Sequence, residues 1–328
     1  MPGQNVIKTY LFTQQGVQED APLDNWPSLV EGQCKLLWVD VRGVNRDELQ
    51  RLAELFGLHS VAIDSCLDAY RRPHLYDFAD HFYVNLTLVK RSNSAAHGVK
   101  PSELHLFAGE KFIITVTKDQ HNDAVDGALK EFLDTPAICS HGSMHAVYLL
   151  AEDLVETYFP LVENLDAEAD KLETAMMEKA DKALVNKLFV LKHRGFELRK
   201  LLGPQRDIFN EISRREFPFI HGDNRVYFQD AYSRMIRIFD ILDTVREVLS
   251  NSLDVYLSSV SNHLNEIMKV LTVAATILMT LSLITGFYGM NFVHLPWLHA
   301  PNAFRNICVF MLALMAGMLL WFRRKGWL

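Results

Sequence analysis

Between Asn265 and Gly286 the chain places Asn265, Met268, Leu271 or Thr272, Ala275, Met279, Ser282 and Gly286 at steps of three and four, followed by Gly289-Met290-Asn291. That spacing puts small, polar and thioether side chains on one face of a helix. The face contains no carboxylate, imidazole or thiol. It therefore has no charged ligand with which to strip water from a hard ion such as Mg2+, which dehydrates reluctantly. Its chemistry is limited to holding a hydrated cation through its waters, with Asn carbonyls, Ser hydroxyls and backbone carbonyls as acceptors. Met268, Leu271 and Met279 would add apolar rings of the kind that gate by dewetting. Thioethers also ligate soft metals, but widely spaced Met residues without His or Cys read first as apolar lining. Small residues are also enriched where membrane helices pack together, so spacing alone leaves a packing face and a water-facing wall both open.

The elements that must carry this face are legible from composition. Val270 to Tyr288 has no Asp, Glu, Lys, Arg or His, and Asn306 to Phe322 is uncharged as well, ending in Arg323-Arg324-Lys325. Runs of this length match bilayer-spanning helices. The pattern predicts a first transmembrane helix over about 269–288, an external loop over 289–304, a second transmembrane helix over 305–323 and a basic tail over 324–328. Two spans cannot enclose an aqueous path, so a conducting chain has to oligomerise around the stripe. Lys and Arg are absent between Val270 and Phe304, and the basic tail marks its own side as cytoplasmic. No basic-then-apolar signal pattern opens the chain, which places both termini in the cytoplasm and the protein in the inner (plasma) membrane as a multi-pass chain.

From Asn262 onward there are five basic residues and one acid, about +4; since the whole chain carries −7, the first 261 residues carry about −11. So acidic a surface repels nucleic acid and suits attraction of cations or simple solvation. Four cysteines (Cys34, Cys66, Cys139, Cys308) without a C-x-x-C argue against a disulfide scaffold or zinc ribbon. No P-loop, H-E-x-x-H, G-x-S-x-G or G-x-G-x-x-G is present, so the chain is not read as an enzyme.

Residues 1–140 read as a cytoplasmic α/β domain. Leu36–Val41 and Phe82–Val89 are strand-like, Leu104–Ala108 and Lys111–Val116 form a hairpin about Gly109-Glu110, and Asn45 caps a helix running to Gly57. Arg91 to Pro101 reads as a loop. Residues 141–222 form an acidic helical hairpin region, with helical spacing from His145 to Lys179, a helix from Lys182 to Leu202 that stops before Pro204, and another over Asp207–Glu216. Residues 223–288 read as a long stalk helix continuing into the membrane. From Arg225 to Tyr288 it would be about 95 Å long at about 1.5 Å per residue, and a helix of that length implies a bundle or oligomeric stalk.

Taken together, Asp254–Asn262, Asn265–Thr272 and Ala275-Thr276-Ile277, then Tyr288-Gly289-Met290-Asn291 and the basic-Trp-Leu ending, resemble the inner helix and signature turn of CorA-type divalent-cation channels. The correspondence runs without gaps over about 75 residues, and weaker similarity (Arg72-Pro73 before a strand, then two acidic helices) covers the whole chain. The resemblance implies a homopentamer with a cytoplasmic α/β funnel and a ring of five inner helices. It implies entry of Mg2+, Co2+ or Ni2+, gated by intracellular divalent cation, with no cofactor beyond these ions. It also implies that Asn291 with Gly289 and Met290 forms the outer selectivity ring, Asn265 an inner polar ring, and Met268 and Leu271 the apolar gate. Asp230 and Asp64 would be the regulatory metal carboxylates facing a neighbouring subunit.

Three departures stand out. Ser65 follows Asp64 where well-known members place a second carboxylate. Phe292–His299 carries no acid where relatives have an acidic loop, and His294 and His299 there suit a borderline metal such as Zn2+ or are plain interfacial residues. Thr280 and Ser282 replace the commoner Pro and Thr. A Zn2+ transporter of the same superfamily (the ZntB-like branch), with or without proton coupling, is therefore the alternative. That branch commonly carries Val at the position of Met290. A non-conducting, membrane-anchored metal sensor is the rival from another class. Finally, His141 and His145, four apart, could chelate a metal, but beside Gly142 and Ser143 they read first as a capping segment.

Overall fold

The sheet is assembled from strands whose alternation lets both faces be buried. The structure, a computed structural model, describes residues 6–32, 35–43, 45–68, 72–91, 99–178, 181–214, 222–290 and 302–327. They form two compact units, one comprising Met1–Ala175 and Asp181–Asn251, the other Met176–Ala180 and Ser252–Leu328. The first unit holds β1 (Val6–Thr13), β2 (Gly16–Glu19), α1 (Trp26–Leu29), β3 (Lys35–Arg42), α2 (Arg46–Phe56), α3 (Ser60–Leu67), β4 (His74–Asp77), β5 (His81–Arg91), β6 (Val99–Gly109) and β7 (Phe112–Thr117). The strand order is β2-β1-β3-β7-β6-β5-β4, with β3 and β7 parallel and every other pair antiparallel.

Leu37, Val39, Val41, Tyr83, Phe107, Ile114 and Val116 project from one face into a core closed by Leu49, Leu52 and Phe56 of α2 and Ala62, Ile63 and Cys66 of α3. On the other face Phe12 and Trp38 meet Phe132 of α4 (Asp123–Asp134) at ring-centre distances of 5.2 and 5.6 Å. Asp40 is buried there but paired: it accepts from Thr115 Oγ1 at 2.8 Å and from Arg42 Nε at 2.7 Å. That pairing is what permits a carboxylate inside.

The cap at α2 is as expected. Asn45 accepts from the Asp47 N–H, and Gly57 closes the helix in the left-handed region at φ 67°. Three expectations are corrected. Val99–Pro101 belongs to β6, paired to Arg91–Val89 of β5, so these ends of the predicted loop are strand; residues 92–98 lie outside the described residues. The helical stretch from His145 is two helices, α5 (Ser143–Glu156) and α6 (Phe159–Glu178). Tyr158 at their junction is fully buried, and its hydroxyl donates to the Thr87 carbonyl. Lastly, α7 (Lys182–Arg214) continues through Pro204. An interior proline costs about 3 kcal/mol, but Ile208, Phe209 and Ile212 beyond it are buried, each worth about 1.5–3 kcal/mol. Burial wins, and Gln205 anchors the turn by accepting from Thr87 N–H at 3.0 Å.

α8 runs unbroken from Gly222 to Tyr288, as the uninterrupted pattern predicts. In the second unit its later part lies beside α9 (Ala303–Arg324). These two helices are long and apolar enough to cross a membrane, with best windows of mean hydropathy 2.1 and 1.9 that are 6% and 0% buried. Apolar surface left that bare needs lipid or further protein to cover it.

One interior charge in the first unit sets a pH dependence. Asp153 of α5 lies against Gly127 of α4, where a Cβ would run into its carboxylate. Burial first, then Glu152, Glu131 and Glu156, push Asp153 up to about 6 from 3.8. A folded-state pKa above the unfolded value means the ionised group destabilises the fold, and the penalty is relieved as pH falls from about 6 towards 4. Asp153→Asn should raise the thermal midpoint of the detergent-solubilised protein at pH 7.5, with the advantage disappearing by about pH 4. Melts across pH check this, and a constant advantage would refute the assignment.

Candidate functional site

Which side of α8 meets α9 decides what the small-residue stripe can do. Within the second unit, Val273 is buried at 4% exposure, and Ile277, Thr280, Leu281, Ile284 and Tyr288 are half-buried. Across from them Phe322 of α9 is buried. Those positions recur at three, four and seven, so they form one face. Asn265, Met268, Leu271, Thr272, Ala275, Met279, Ser282 and Gly286 lie roughly 160–280° round the helix from Val273, at 3.6 residues per turn. All eight are exposed, Met279 to 74%. Packing against α9 is thus excluded as the stripe's role within one chain. The face is open to water or to other copies.

The hydroxyls along this stretch are ordered by the helix itself. Thr272 Oγ1 donates to the Met268 carbonyl at 2.7 Å, and Thr276 and Thr280 donate to the carbonyls four residues back at 2.8 Å. Of the three, Thr272 lies on the open face, where its oxygen keeps acceptor capacity; Thr276 borders α9 and Thr280 is half-buried on the α9 side. At the end of α8 the Gly289 N–H donates to the Thr285 carbonyl at 2.9 Å and Met290 N–H to that of Phe287 at 3.4 Å. A Cβ on Gly289 would come within 3.1 Å of the Thr285 oxygen, so glycine lets this turn close tightly. Gly286 meets no such neighbour. Asn291, His294 and His299 lie outside the described residues.

At the other end of the stripe a cleft of about 550 Å3 is lined by Asn262, Asn265, Glu266, Lys269, Thr272 and Trp327. Trp327 is held there by its N–H to the Phe322 carbonyl at 3.0 Å and by stacking on the Phe322 ring. Sequence reasoning placed Trp327 only in a tail; its fold-back beside Asn265 had no local signal.

Asp230 and Asp64 both lie exposed in the first unit. Asp230 is already engaged. Arg234 Nε donates to its Oδ2 at 2.8 Å, while the same guanidinium donates to Glu156 Oε1 at 2.5 Å and sits 3.1 Å from Glu152 Oε1. One cation therefore serves three carboxylates from two helices. Burial, with the adjacent Glu152 carboxylate, pushes the Tyr148 phenol up to about 12. The i,i+4 spacing of Asp230 and Arg234 was a readable signal for this cluster; the arrival of α5 was not. Asp64 stands on the outer side of α3, bordering a groove with Arg46, Gln50 and Glu54. The neighbouring Ser65 faces inward, buried, with its hydroxyl donating to the Val61 carbonyl at 2.9 Å. The position expected to hold a second carboxylate therefore belongs to the core here. Asp64 and Asp230 share no partner among the described residues, and there no three His, Cys, Asp or Glu side chains converge as a metal site.

His141 and His145 flank the start of α5, as the capping reading expects: Gly142, at φ 78°, is the cap position and Ser143 the first helical residue. The two imidazoles lie ring to ring, with centres 5.1 Å apart.

Comparisons with known proteins fit this arrangement. A family model described as CorA-like Mg2+ transporter protein matches residues 34–324. The cobalt/magnesium transport protein CorA of Thermotoga maritima is 32% identical over 293 residues, covering 89% of this chain and 83% of that one. The zinc transport protein ZntB of Pectobacterium carotovorum is 25% identical over 78% of this chain and 77% of its own. Among solved structures, the complete CorA magnesium transporter of Methanocaldococcus jannaschii superposes with a TM-score of 0.79 at 23% identity, over 98% of this chain and 99% of that one. At that identity the likeness speaks for the fold.

The Arg234 cluster makes a direct prediction. Arg234→Gln leaves three carboxylates without a counter-ion, and a loss of about 1 kcal/mol should lower the thermal midpoint by roughly 2–4 °C in chelator. Millimolar Mg2+ should restore most of that loss. Failure of Mg2+ to rescue the variant would show that these carboxylates do not bind the ion.

Proposed function

Because the chain belongs to the CorA-like Mg2+ transporter family, we propose that it assembles as a homopentamer that passes hydrated divalent cations, Mg2+ and Co2+ foremost, across the inner (plasma) membrane. The observation that carries this reading is the position of the stripe, opposite the α9 contact and exposed along its length. In a ring of five copies that face would line the axis. Asn291, with the backbone carbonyls beside it, would catch the hydrated ion at the outer mouth. Ala275, Met279, Ser282 and Gly286 would pass it without inner-sphere ligands. Met268 and Leu271 would form the apolar constriction, and Asn265 the inner polar ring.

Regulation follows from the acidic first unit. Oxygen donors such as Asp230, Asp64, Glu152 and Glu156 suit a hard cation. On this reading, abundant cytoplasmic Mg2+ occupies sites between neighbouring copies and holds the assembly closed. Its loss leaves like charges facing one another and shifts the population towards the open state. Both termini are cytoplasmic in this arrangement, consistent with the basic residues gathered after Phe322.

A second reading keeps the architecture and changes the ion. The loop Phe292–His299 lacks any acid and contains His294 and His299, which favours Zn2+; a zinc-transporting relative has similar sequence.

Reconstituted into liposomes, the protein should take up Mg2+ or Co2+, and Asn291→Ala should abolish most of that flux. Asn265→Leu and Ser282→Leu should block it too; undiminished flux in both would sink the pore assignment, and no flux from wild type would favour the non-conducting sensor. Uptake of Zn2+ in competition with Mg2+, with and without a pH gradient, separates the two ions. In limited proteolysis, Asp230→Ala should weaken the protection that Mg2+ confers on the cytoplasmic domain, and unchanged protection would remove Asp230 from the sensor.

A further inference from the structure

We propose that His141 and His145 hold a borderline divalent cation, Zn2+, Co2+ or Ni2+, at the start of α5. Imidazole suits these ions, whereas Mg2+ demands oxygen ligands and retains its waters. Two imidazoles sharing one ion through metal–nitrogen bonds of about 2.0–2.1 Å set their ring centres roughly 4.5–5.2 Å apart. The observed 5.1 Å, with the planes at 38°, falls in that range before any ion is bound.

The tautomer of His141 is set for ligation. Its Nδ1–H donates to the Ile138 carbonyl at 3.3 Å, since a carbonyl can only accept, and this leaves the Nε2 lone pair on an exposed ring. A backbone carbonyl accepting from the non-ligating nitrogen is the usual support of a metal-bound histidine. His145 brings a different sign of use. Its Nδ1 is buried and has no hydrogen-bond partner, a cost that native folds seldom carry without a reason. Its surroundings are aromatic: Phe132, Tyr148 and Tyr227 have ring centres 6.4, 6.0 and 5.5 Å away. Burial, with His141 as the lesser cause, lowers the pKa of His145. Water completes the coordination, since no third His, Cys, Asp or Glu joins them among the described residues.

Such a site would let the acidic unit register borderline ions separately from Mg2+. About two and three turns further along α5 lie Glu152 and Glu156, which bind Arg234, so ordering the start of α5 would act on the helix that also meets Asp230's counter-ion.

The test reads metal binding and not flux, so it stands apart from the transport proposal. Co2+ is titrated into the full-length protein in detergent with Mg2+ in excess, and the visible absorption of imidazole-bound Co2+ is followed. Wild type should bind about one equivalent per chain that His141→Ala and His145→Phe weaken by at least about tenfold. The double variant His294→Ala with His299→Ala should keep it. His141 is exposed, so its variant should melt like wild type without metal. Equal Co2+ affinity and stoichiometry in wild type and His141→Ala would overturn the site, as would absent Co2+ absorption in wild type or its loss in the loop variant.

Discussion

Everything in the second unit depends on α8 having only one circumference to share. α9 takes the side marked by Val273, Ile277, Leu281 and Ile284. The opposite side is left with Ala275, Met279, Ser282 and Gly286, which are exposed among the described residues. In a bilayer an uncovered face is met by lipid, by another protein or by water. The residues on it are too small and too polar to prefer lipid over a helix or an aqueous path. On that side the Thr272 hydroxyl is folded onto the helix backbone, which satisfies its donor and leaves its oxygen able to accept. The stripe has no carboxylate, so it offers no charged ligand with which to displace the waters of a hard cation.

The first unit poses the complementary problem of too much negative charge. It is resolved differently in its interior and on its surface. Inside, Asp40 is matched by Arg42 and Thr115, as burial of a charge requires. On the surface, Arg234 is divided among Asp230, Glu152 and Glu156, which leaves the cluster short of positive charge. α8 thus carries, on one continuous helix, both the carboxylate at the centre of this balance and the uncharged stripe.

Much was legible before any coordinates. The cap at Asn45, the strands Leu36–Val41 and Phe82–Val89, and the unbroken α8 all follow from local patterns of two and 3.6 residues. What local pattern does not carry has a common cause. Proline weakens a helix locally, yet α7 passes through Pro204 with Ile208, Phe209 and Ile212 buried beyond it. The break at Thr157-Tyr158 has no local signal; the Tyr158 hydroxyl there bonds the Thr87 carbonyl, 71 residues away. Ser65 reads in sequence as a missing carboxylate, whereas in the fold it faces inward, buried on α3.

By itself the sequence determined that the chain has two uncharged spans, a long helix leading into the first, an acidic remainder, and a stripe with no charged ligand, because composition and period are properties of neighbours along the chain. Only the tertiary structure decided which way the stripe faces, since a helical face acquires meaning from what packs on the others. It likewise decided that Asp230 is shared with Glu152 and Glu156 through Arg234, and that His141 and His145 lie ring to ring. Those arrangements depend on where separate helices meet, and no spacing within one helix specifies that.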